Sequence, residues 1–539
     1  MKKYLFPTLT IVCLLLGILI GNAVSNKVNA QRFYIQNGQL FQQPESKVDQ
    51  LLQLMDQAYV DEIDVDSITE DVMKELIKRL DPHSAYIPKE DLEMVNSELS
   101  ASFSGIGVQF SIQNDTVQVV AVISGGPCEG VGVLAGDKIV MVNDSNFTGK
   151  TITNEKVMHA LRGPKGSKVK ICVMRSGSDE VYEFTITRGD IPVHSVDAKF
   201  IIEEKGQKIG FVRVNRFGEN TYDEFIAALA SLKGQGATAY IVDLRENSGG
   251  YMDQAIKMAN EFLSKGDLIV YSEGRAYPRY EARANGSGRF QRDSLVVLID
   301  NFSASASEIF AGAMQDNDRA TIVGRRSFGK GLVQQQIPFA DGSAVRLTVA
   351  RYYTPSGRSI QKPYKMGEGE DYAMDLLNRF EHGEFYSADS VQIADSTIYY
   401  TKKGRIVRGG GGIMPDVFVG RDTTLNTPYF NIVVNRAYTY QFAYQYTDRH
   451  RKELSQYTNW QSLEKHLLQT NWVPEFVAFA KEKGVEPNPE QLAKSKPLLV
   501  RLVNAYIVRN MLNDKGFFPL FERDDDITKK AVEILNERM

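Results

Sequence analysis

Apolar residues recur at helical spacing near both ends of the chain. Between residues 45 and 100 they lie three or four positions apart, and Asp81-Pro82 marks the end of the second of three predicted helices. After about residue 426 the same spacing returns in several segments, for example at 460–467 and 500–507. Both regions are therefore predicted to be helical.

Between these regions the pattern of apolar residues changes twice. From Ser100 to about residue 190, short alternating runs separated by glycine turns predict strands, with one helix at 154–161. From 193 to 419 apolar strands alternate with helices, which is typical of an α/β core. Within that core, 371–385 and the glycine run 409–412 are predicted to be loop or insertion.

The fold class predicted from these patterns is multidomain α+β. An N-terminal helical segment leads into a β-rich domain, followed by an α/β core and a helical C-terminal region. The predicted boundaries are 1–30 for a targeting segment, 31–100 for the helical segment, 101–190 for the β-rich domain, 191–420 for the core and 421–539 for the C-terminal region.

The composition is that of an ordinary globular protein. Hydrophobic residues make up 43% and charged residues 24% of the 539 residues, a length that suits several domains. The net charge is −4, and the two signs are mixed along the chain without a basic patch. Nucleic acid is therefore not expected as a partner, and polypeptides or small molecules are.

The first 30 residues have the pattern of an export signal. Lys2 and Lys3 precede an apolar stretch at 4–20, and small residues follow at Ala23-Val24-Ser25 and Val28-Asn29-Ala30. The stretch is just long enough to span a bilayer, so both a cleaved signal and an uncut anchor are open. Either form predicts export to the cell envelope, on the periplasmic side.

Cysteine and histidine are too few and too scattered to indicate a metal site. Apart from Cys13 in the targeting segment, the cysteines are Cys128 and Cys172. Export would permit a disulfide between them, but the sequence leaves this open, and two buried free thiols are the simpler interpretation. No zinc-binding motif occurs, so no metal and no other cofactor is predicted.

Three short segments are candidates for chemistry. The first, 243–250, follows a buried-looking strand and ends in Ser248-Gly249-Gly250, where backbone N–H groups could stabilise an oxyanion. On these local features alone, an ordinary tight turn is the favoured interpretation. The second, 301–308, also follows an apolar strand and places Ser305 at a helix N-terminus, although Ser305-x-x-Glu308 is also a capping-box pattern.

The third segment, 328–334, holds Lys330 between two glycines. To act as a base near pH 7, a lysine must have its pKa lowered by several units from about 10.4, which burial can achieve. Gln334 lies an even number of residues away, so in a strand its amide can hold the amine. The alternative is a surface hairpin lysine. The chain has no Gly-x-Ser-x-Gly elbow, and no histidine stands in a context that suggests a triad.

Together and in this order, the three segments resemble the core motifs of the C-terminal processing peptidases, also called tail-specific proteases. The 25 residues from Ser305 to Lys330 agree with the spacing in that family. The resemblance runs from about residue 80 to 419 and implies a ClpP/crotonase-like protease core. It also includes Leu80-Asp81-Pro82-His83-Ser84-Ala85-Tyr86, Tyr352-Tyr353-Thr354-Pro355-Ser356-Gly357-Arg358 and Gly412-Ile413-Met414-Pro415-Asp416.

The resemblance implies a role for each matching residue. Ser305 would be the nucleophile, Lys330 its general base, and Gln334 the residue that orients the lysine. The N–H groups of Ala306 and Gly250, or of the neighbouring Gly249, would form the oxyanion hole. The remaining matches are Asp316, which would support the structure, and Ser303 and Ser307, the alternatives for the nucleophile.

The β-rich domain resembles a PDZ domain. Phe103-Ser104-Gly105-Ile106-Gly107-Val108 matches its carboxylate-binding loop, and Leu134-Ala135-Gly136-Asp137 matches a later segment. Exposed N–H groups at Gly105, Ile106 and Gly107 would capture the C-terminal carboxylate of a peptide added as a strand.

These features predict an exported serine endopeptidase that recognises protein C-termini. Its expected partners are polypeptides with free C-termini, and both a regulatory or adaptor protein and a homo-oligomer are left open. A catalytically silent PDZ-bearing envelope scaffold is the alternative, against which intact Ser305, Lys330 and Gln334 argue. The PDZ-like domain argues against a lipase or esterase.

Overall fold

The structure is a computed structural model. It describes residues 33–36, 39–42, 46–97, 99–100, 102–113, 115–123, 125–134, 136–175, 180–392, 395 and 397–538. These residues belong to two compact units, divided between Leu76 and Ile77. No helix in the described ranges combines the length and the apolar character that a bilayer crossing requires. The predicted targeting segment and its two cleavage sites lie outside those ranges.

The first unit contains a hairpin and a helix that is capped by its own sequence. Strands β1 (Phe33–Gln36) and β2 (Gln39–Gln42) pair antiparallel. Helix α1 (Lys47–Ala58) begins after Ser46, whose hydroxyl accepts the N–H of Asp49 at 3.2 Å, while the Asp49 carboxylate accepts the N–H of Ser46. Helix α2 (Val65–Lys78) follows. The helices predicted here are confirmed.

The second unit opens with β3 (Ala85–Ile87) and α3 (Lys89–Ser97), which lead into the β-rich domain. Its main sheet has the order β10-β9-β7-β6-β5, with β8 added to β7. Buried Ile106, Val119, Ile139 and Ile171 form part of its core, and Cys128 and Cys172 are both buried and unpaired. The elements are β4 (Ser102–Gly105), β5 (Val108–Gln113), β6 (Thr116–Val122), α4 (Pro127–Val131), β7 (Lys138–Val142), β8 (Ser145–Asn146), α5 (Asn154–Leu161), β9 (Lys168–Met174), β10 (Val181–Thr187) and β11 (Gly189–Pro192).

The entry and the exit of the β-rich domain lie side by side. Strands β4 and β11 pair antiparallel, with Gly105 opposite Gly189 and Ser102 opposite Pro192. The chain therefore enters and leaves this domain through one two-stranded ladder.

The α/β core is built on a six-stranded sheet in the order β12-β13-β14-β17-β18-β23. Strands β13, β14, β17, β18 and β23 are parallel to one another, and β12 is antiparallel to β13. All five residues of β14 are buried, as expected for a parallel strand covered on both faces. The strands are β12 (Val196–Glu204), β13 (Gln207–Val214), β14 (Ala239–Asp243), β17 (Ser294–Ile299), β18 (Thr321–Gly324) and β23 (Val417–Phe418).

Helices cover both faces of this sheet. On one face pack α6 (Thr221–Gly234), α7 (Met252–Asn260) and α8 (Ala306–Asp316), whose buried side chains share a core with those of the sheet. On the other face packs α16 (Asp526–Arg538), through Ile527, Ala531 and Leu535. One helix of the predicted C-terminal region is thus part of the core, because the apolar back of the sheet needs a cover.

A second sheet, in the order β16-β15-β20-β19, stands beside the first. Strand β3, which precedes the β-rich domain, pairs with β20 in this sheet, with Tyr86 opposite Val345. Its other strands are β15 (Leu268–Glu273), β16 (Tyr280–Arg283), β19 (Leu332–Pro338) and β20 (Ala344–Tyr353).

The segment predicted to be loop at 371–385 contains a helix, α9 (Gly369–Glu381), so that prediction is wrong for most of its length. The helix was missed because it begins without a capping side chain and stands between Gly369 and Gly383, which favour a loop in the sequence. A short 3₁₀ turn (Ala388–Ser390) and a hairpin of β21 (Ile398–Tyr400) and β22 (Ile406–Arg408) follow it.

The C-terminal region is helical, as predicted, with its own core around Phe442, Trp472, Phe476 and Val503. Its helices are α10 (Pro428–Asn435), α11 (Tyr438–Leu454), α12 (Trp460–Gln469), α13 (Val473–Glu482), α14 (Pro489–Leu512) and α15 (Asp514–Arg523), before α16.

Candidate active site

The first two candidate segments meet at one edge of the six-stranded sheet. Strands β14 and β17 are parallel neighbours, with Asp243 opposite Leu298, so their carboxyl ends lie together. The turn 244–251 follows the first strand and the turn 300–305 follows the second. Ligands of open α/β sheets bind at such edges.

Ser305 stands in a strained turn directly before α8. Its φ of 54° is in the left-handed region, which costs a non-glycine residue about 1–3 kcal/mol. The residue is half-buried, whereas Ser303 and Ser307 are fully buried. The hydroxyl of Ser303 donates to the carbonyl of Leu244, and that of Ser307 to the carbonyl of Asn247. Of the three serines, Ser305 is therefore the one whose side chain can meet a substrate.

The glycine turn lies against the Ser305 turn, and Asn247 connects them. Its carbonyl accepts the N–H of Ala304 at 3.0 Å, and its side chain accepts the N–H of Gly249 at 2.9 Å. A Cβ on Gly249 would come within 2.8 Å of the Ser305 Cβ, so only glycine allows this approach.

Two N–H groups beside Ser305 remain available. Among the described residues, the N–H groups of Gly250 and Ala306 donate to no other group, whereas that of Gly249 is taken by Asn247. Of the two glycines, Gly250 is therefore the better placed donor for an oxyanion.

Lys330 lies on the loop between β18 and β19, and its amine is held by Gln334. The ammonium donates to Gln334 Oε1 at 3.0 Å, and the Gln334 amide donates in turn to the carbonyl of His83. In the described part of the chain, no hydrogen bond joins Lys330 Nζ to Ser305 Oγ. The amine is thus oriented by Gln334 before any contact with the serine.

Glu308 and Tyr352 fasten the Ser305 and Lys330 backbones to each other. One carboxylate oxygen of Glu308 accepts the N–H of Ser305 at 2.9 Å and that of Lys330 at 2.8 Å, and the other accepts the N–H of Gly329 at 2.7 Å. At the carbonyl end of both residues, the Tyr352 hydroxyl hydrogen-bonds to the carbonyl oxygens of Ser305 and Lys330. The two residues are therefore held together through their backbones.

The site favours a neutral lysine. Burial lowers the pKa of Lys330, and the positive charge of Arg346 lowers it further, against the opposing charges of Glu308 and Asp81. Burial and the charge of Lys330 also lower the pKa of His83 to about 4, so His83 is neutral at neutral pH. Burial raises the pKa of Glu308 to about 7, although four hydrogen-bond donors partly offset this effect.

Asp243 and Arg245, at the start of the glycine turn, are structural. Arg245 is buried and donates to Asp243, to Glu522 at 2.6 Å and to Asp525 at 2.7 Å. The last two carboxylates belong to α15 and to the residues that lead into α16, so the C-terminal region supports the turn. Asp316 is structural as well, since it accepts from Arg358 at 2.8 Å.

Sequence reasoning missed Tyr352 and treated Glu308 only as a cap. The signal was present, because Tyr352 lies in the quoted Tyr352–Arg358 match and Glu308 is the third residue after Ser305. A carboxylate shared between two loops that are far apart in sequence cannot be distinguished from a local cap before the fold is known.

The predicted carboxylate-binding loop packs against the core of its domain. Gly105, Ile106 and Gly107, which are predicted to bind the carboxylate through their N–H groups, are buried residues. Ile106 packs in the core of the β-rich domain, and a Cβ on Gly107 would meet Gly126 at 3.0 Å and Ile191 at 3.1 Å. Gly126 and Ile191 therefore occupy the space that a side chain at position 107 would need.

Replacing Glu308 by glutamine is expected to destabilise the fold by about 3 kcal/mol and to lower activity. The amide has one acceptor oxygen for donors that now share two, so buried N–H groups lose their partner. Urea unfolding measures the loss. Glu281→Gln, at a carboxylate paired with Arg279 and Arg283 outside the site, is the matched control. Equal stability of both variants would contradict the role given to Glu308.

Three family profiles match the chain. Peptidase family S41 matches residues 208–369, and the PDZ domain matches residues 104–186. Residues 429–513, in the helical C-terminal region, match a family of unknown function.

Curated relatives share most of their length with this chain. The carboxy-terminal-processing protease of Bartonella bacilliformis is 35% identical over 389 residues, which cover 70% of this chain and 84% of the relative. The carboxy-terminal processing protease CtpA of Bacillus subtilis is 36% identical over 337 residues, which cover 61% of this chain and 71% of the relative. Relatives in Staphylococcus epidermidis and Staphylococcus aureus are named as probable CtpA-like serine proteases.

The chain is also similar to proteins of known structure. The photosystem II D1 C-terminal processing protease has a TM-score of 0.37 at 24% identity, covering 70% of this chain and 93% of that one. The PDZ domain of a Vibrio cholerae carboxy-terminal protease has a TM-score of 0.16 at 30% identity, and the match covers 17% of this chain and 99% of that domain. On the strength of the sequence matches, the chain belongs to the carboxy-terminal processing proteases of peptidase family S41, and it is a serine protease with a PDZ domain.

Proposed function

We propose that this protease is an exported endopeptidase that cuts polypeptides with a Ser305/Lys330 dyad after its PDZ domain has engaged their C-termini. The observation that carries the dyad is the double link between the two backbones through Glu308 and Tyr352. Beside this link, the N–H groups of Gly250, in the glycine turn, and of Ala306, at the start of α8, have no partner in the described residues. A nucleophile, a base and an oxyanion site thus share one edge of the sheet.

The reaction is acyl transfer. Neutral Lys330 takes the hydroxyl proton of Ser305 as Oγ bonds to the peptide carbonyl carbon, and the N–H groups of Gly250 and Ala306 stabilise the oxyanion. The C–N bond then breaks, and the Lys330 ammonium gives its proton to the leaving amine. A water molecule, deprotonated by Lys330, attacks the acyl-enzyme, and its proton returns to Ser305 Oγ as the second product leaves.

Gln334 has the orienting role in this mechanism. Its Oε1 accepts from the amine, while its own N–H donates to the carbonyl of His83, so the amide cannot turn freely. Since the described structure has no Lys330–Ser305 hydrogen bond, the amine must move or turn toward Ser305 when substrate binds. Catalytic hydrogen bonds often tighten only in the substrate complex.

The PDZ domain is proposed to bind the free carboxylate at the loop of Gly105, Ile106 and Gly107. The Arg162 side chain lies beside Gly105, with its guanidinium 4.4 Å from the centre of the Phe103 ring, and adds a positive charge near the loop. Gly126 and Ile191 lie close to Gly107, so the bound peptide is proposed to meet a loop that is packed on the core of its own domain.

Export is proposed on the sequence of the first 30 residues. Lys2 and Lys3 before an apolar stretch are the features of a signal or an anchor. Fractionation of cells that produce the full chain should place it in the envelope fraction, and recovery in the cytoplasmic fraction would contradict export.

The function is tested by incubating the purified protein with an unfolded polypeptide that has a free C-terminus and following its fragments by mass spectrometry. Fragments that require both Ser305 and Lys330 support the proposal. No cleavage of several unfolded polypeptides, together with binding to their C-termini, would favour the silent scaffold instead.

Amidating the substrate C-terminus is expected to weaken cleavage at substrate concentrations well below saturation. The amide lacks the charge and one acceptor oxygen, while the donors of the loop must still lose their water. The measurement compares kcat/KM for acid and amide forms of one peptide. Equal values would remove the proposed carboxylate capture.

Deletion of about residues 101–190 provides the control. Because β4 and β11 pair, the two ends adjoin and a short linker can join them. This variant should cleave the acid and amide forms equally, whether its activity rises or falls. A preference for the acid form that survives the deletion would place carboxylate recognition elsewhere.

A further inference from the structure

Residues 363–409 form an excursion that leaves the core and returns to the same place. The N–H of Gly410 donates to the carbonyl of Ser359, and the N–H of Gly412 to that of Ile360, both at 2.8 Å. The segment that directly precedes the excursion also contacts the loop of Lys330, since the N–H of Lys362 donates to the carbonyl of Gly329 at 2.9 Å. The excursion is therefore anchored beside Lys330 at both ends.

Helix α9 presents one face of the excursion to the lysine loop. Asp375 and Arg379 follow Tyr372 by three and seven positions, so the three residues lie on one side of the helix. The Arg379 guanidinium donates to the carbonyl of Ser327 at 3.0 Å and to that of Arg326 at 2.8 Å. The hydroxyl of Ser327 in turn donates to Glu308.

Lys362 connects α9 to Phe328, two residues before Lys330. Its ammonium lies 4.0 Å from the centre of the Phe328 ring and 3.9 Å from that of Tyr372, and it donates to Asp375 at 2.9 Å. A cation between two aromatic rings is held by both of them. This buried lysine has no part in the proposed chemistry and serves to fix the start of the loop.

The Tyr372 hydroxyl makes a second connection, which leads to the residues that hold the Lys330 amine. It hydrogen-bonds to His83 Nε2 at 2.7 Å, and the rings of Tyr372 and His83 meet edge to face at 5.0 Å. The carbonyl of His83 accepts from Gln334, which holds Lys330 Nζ. The same hydroxyl accepts from Gln361, whose Oε1 accepts the N–H of Gly331.

We propose that the excursion is a positioning module for the catalytic lysine, and that Tyr372 is its central positioning residue. Through His83 and Gln361, one hydroxyl fixes both the amide that orients the amine and the peptide that follows the lysine. The proposal deepens the function proposed above and rests on Lys330 being the base.

This role has a signature that stability alone does not produce. When Tyr372 no longer holds His83 and Gln361, the pocket of Lys330 loosens and admits water, so the ammonium is better solvated and its pKa rises. The acidic limb of the activity profile then moves to higher pH. A fold that is merely less stable loses active protein at every pH without moving the midpoint of the limb.

The experiment compares Tyr372→Phe, Tyr372→Leu and Tyr400→Phe in the full chain. Phenylalanine keeps the ring on Lys362 and Phe328 and removes only the hydroxyl, whereas leucine removes both. Tyr400, on the exposed hairpin of the same excursion, is the matched control. The readouts are kcat and KM for a peptide substrate from pH 5 to pH 10, and the thermal midpoint of unfolding.

Tyr372→Phe is expected to lower kcat at pH 7 by about tenfold, with KM unchanged and the acidic limb moved to higher pH. Tyr372→Leu should move it further, and Tyr400→Phe should behave as the wild type. A wild-type profile for Tyr372→Phe would overturn the proposal, as would a lower kcat with an unmoved midpoint. If Lys330→Ala cleaved the peptide at the wild-type rate, the dyad itself would be refuted. Failure of the positioning proposal and failure of the dyad are therefore distinguishable.

Discussion

Ser305→Ala is expected to lower kcat by about 10⁴-fold or more while the fold is retained. Removing the hydroxyl removes the acyl-enzyme route, and what remains comes from substrate binding and the oxyanion site. The side chain is small and half-buried at the end of a turn, so its truncation leaves no core cavity. Peptide cleavage measured with active and variant protein at equal concentration checks the loss.

Ser303→Ala and Ser307→Ala are the matched controls for this prediction. Each removes one buried hydrogen bond and should lower the free energy of unfolding by about 1 kcal/mol, with most of the activity retained. Cleavage by Ser305→Ala at the wild-type rate would show that the nucleophile is another residue, and the control that had lost activity would identify it.

Lys330→Arg is expected to abolish cleavage nearly as completely as Ser305→Ala. A guanidinium stays protonated in proteins and cannot accept the serine proton. Lys330→Ala should be equally inactive, since no other base takes its place. The exposed Lys365, on the excursion, provides the control as Lys365→Arg, which should retain wild-type activity.

The pH dependence of the wild type follows from the same residue. Since burial and Arg346 lower the pKa of Lys330, the neutral amine appears at a lower pH than in a free lysine. Activity should rise with pH through that lowered pKa, because deprotonation creates the base. Cleavage by Lys330→Arg, or a wild-type rate that falls from pH 6 to pH 8, would contradict the general-base role.

The parts of the site that could be predicted from the sequence are local. The apolar runs before Asp243 and Asn301 predicted two strands that end in turns, and the structure confirms both as β14 and β17. Gly249 could be predicted as a position where another group comes close to the backbone, because a missing Cβ is a property of the residue itself. The Asn154–Leu161 helix was also predictable, because the spacing of its apolar residues is a local property of the sequence.

What escaped prediction depends on contacts between distant segments. The pairing of β3 with β20 joins residues more than 250 positions apart, and no local pattern marks it. The α9 helix begins without a capping side chain, and its Tyr372 acquires a role only where it meets His83. Burial of the Gly105–Gly107 loop likewise depends on Ile191, which lies on the far side of the domain in sequence.

The pairing of β4 with β11 has a consequence for how such a protein can evolve. The entropy of closing a loop grows only slowly with its length, so a segment whose two ends are already paired can be long or short at nearly the same free energy. The PDZ domain is such a segment with respect to the protease. Substitution of one domain for another, through recombination at this ladder, would therefore leave the fold around Ser305 and Lys330 unchanged.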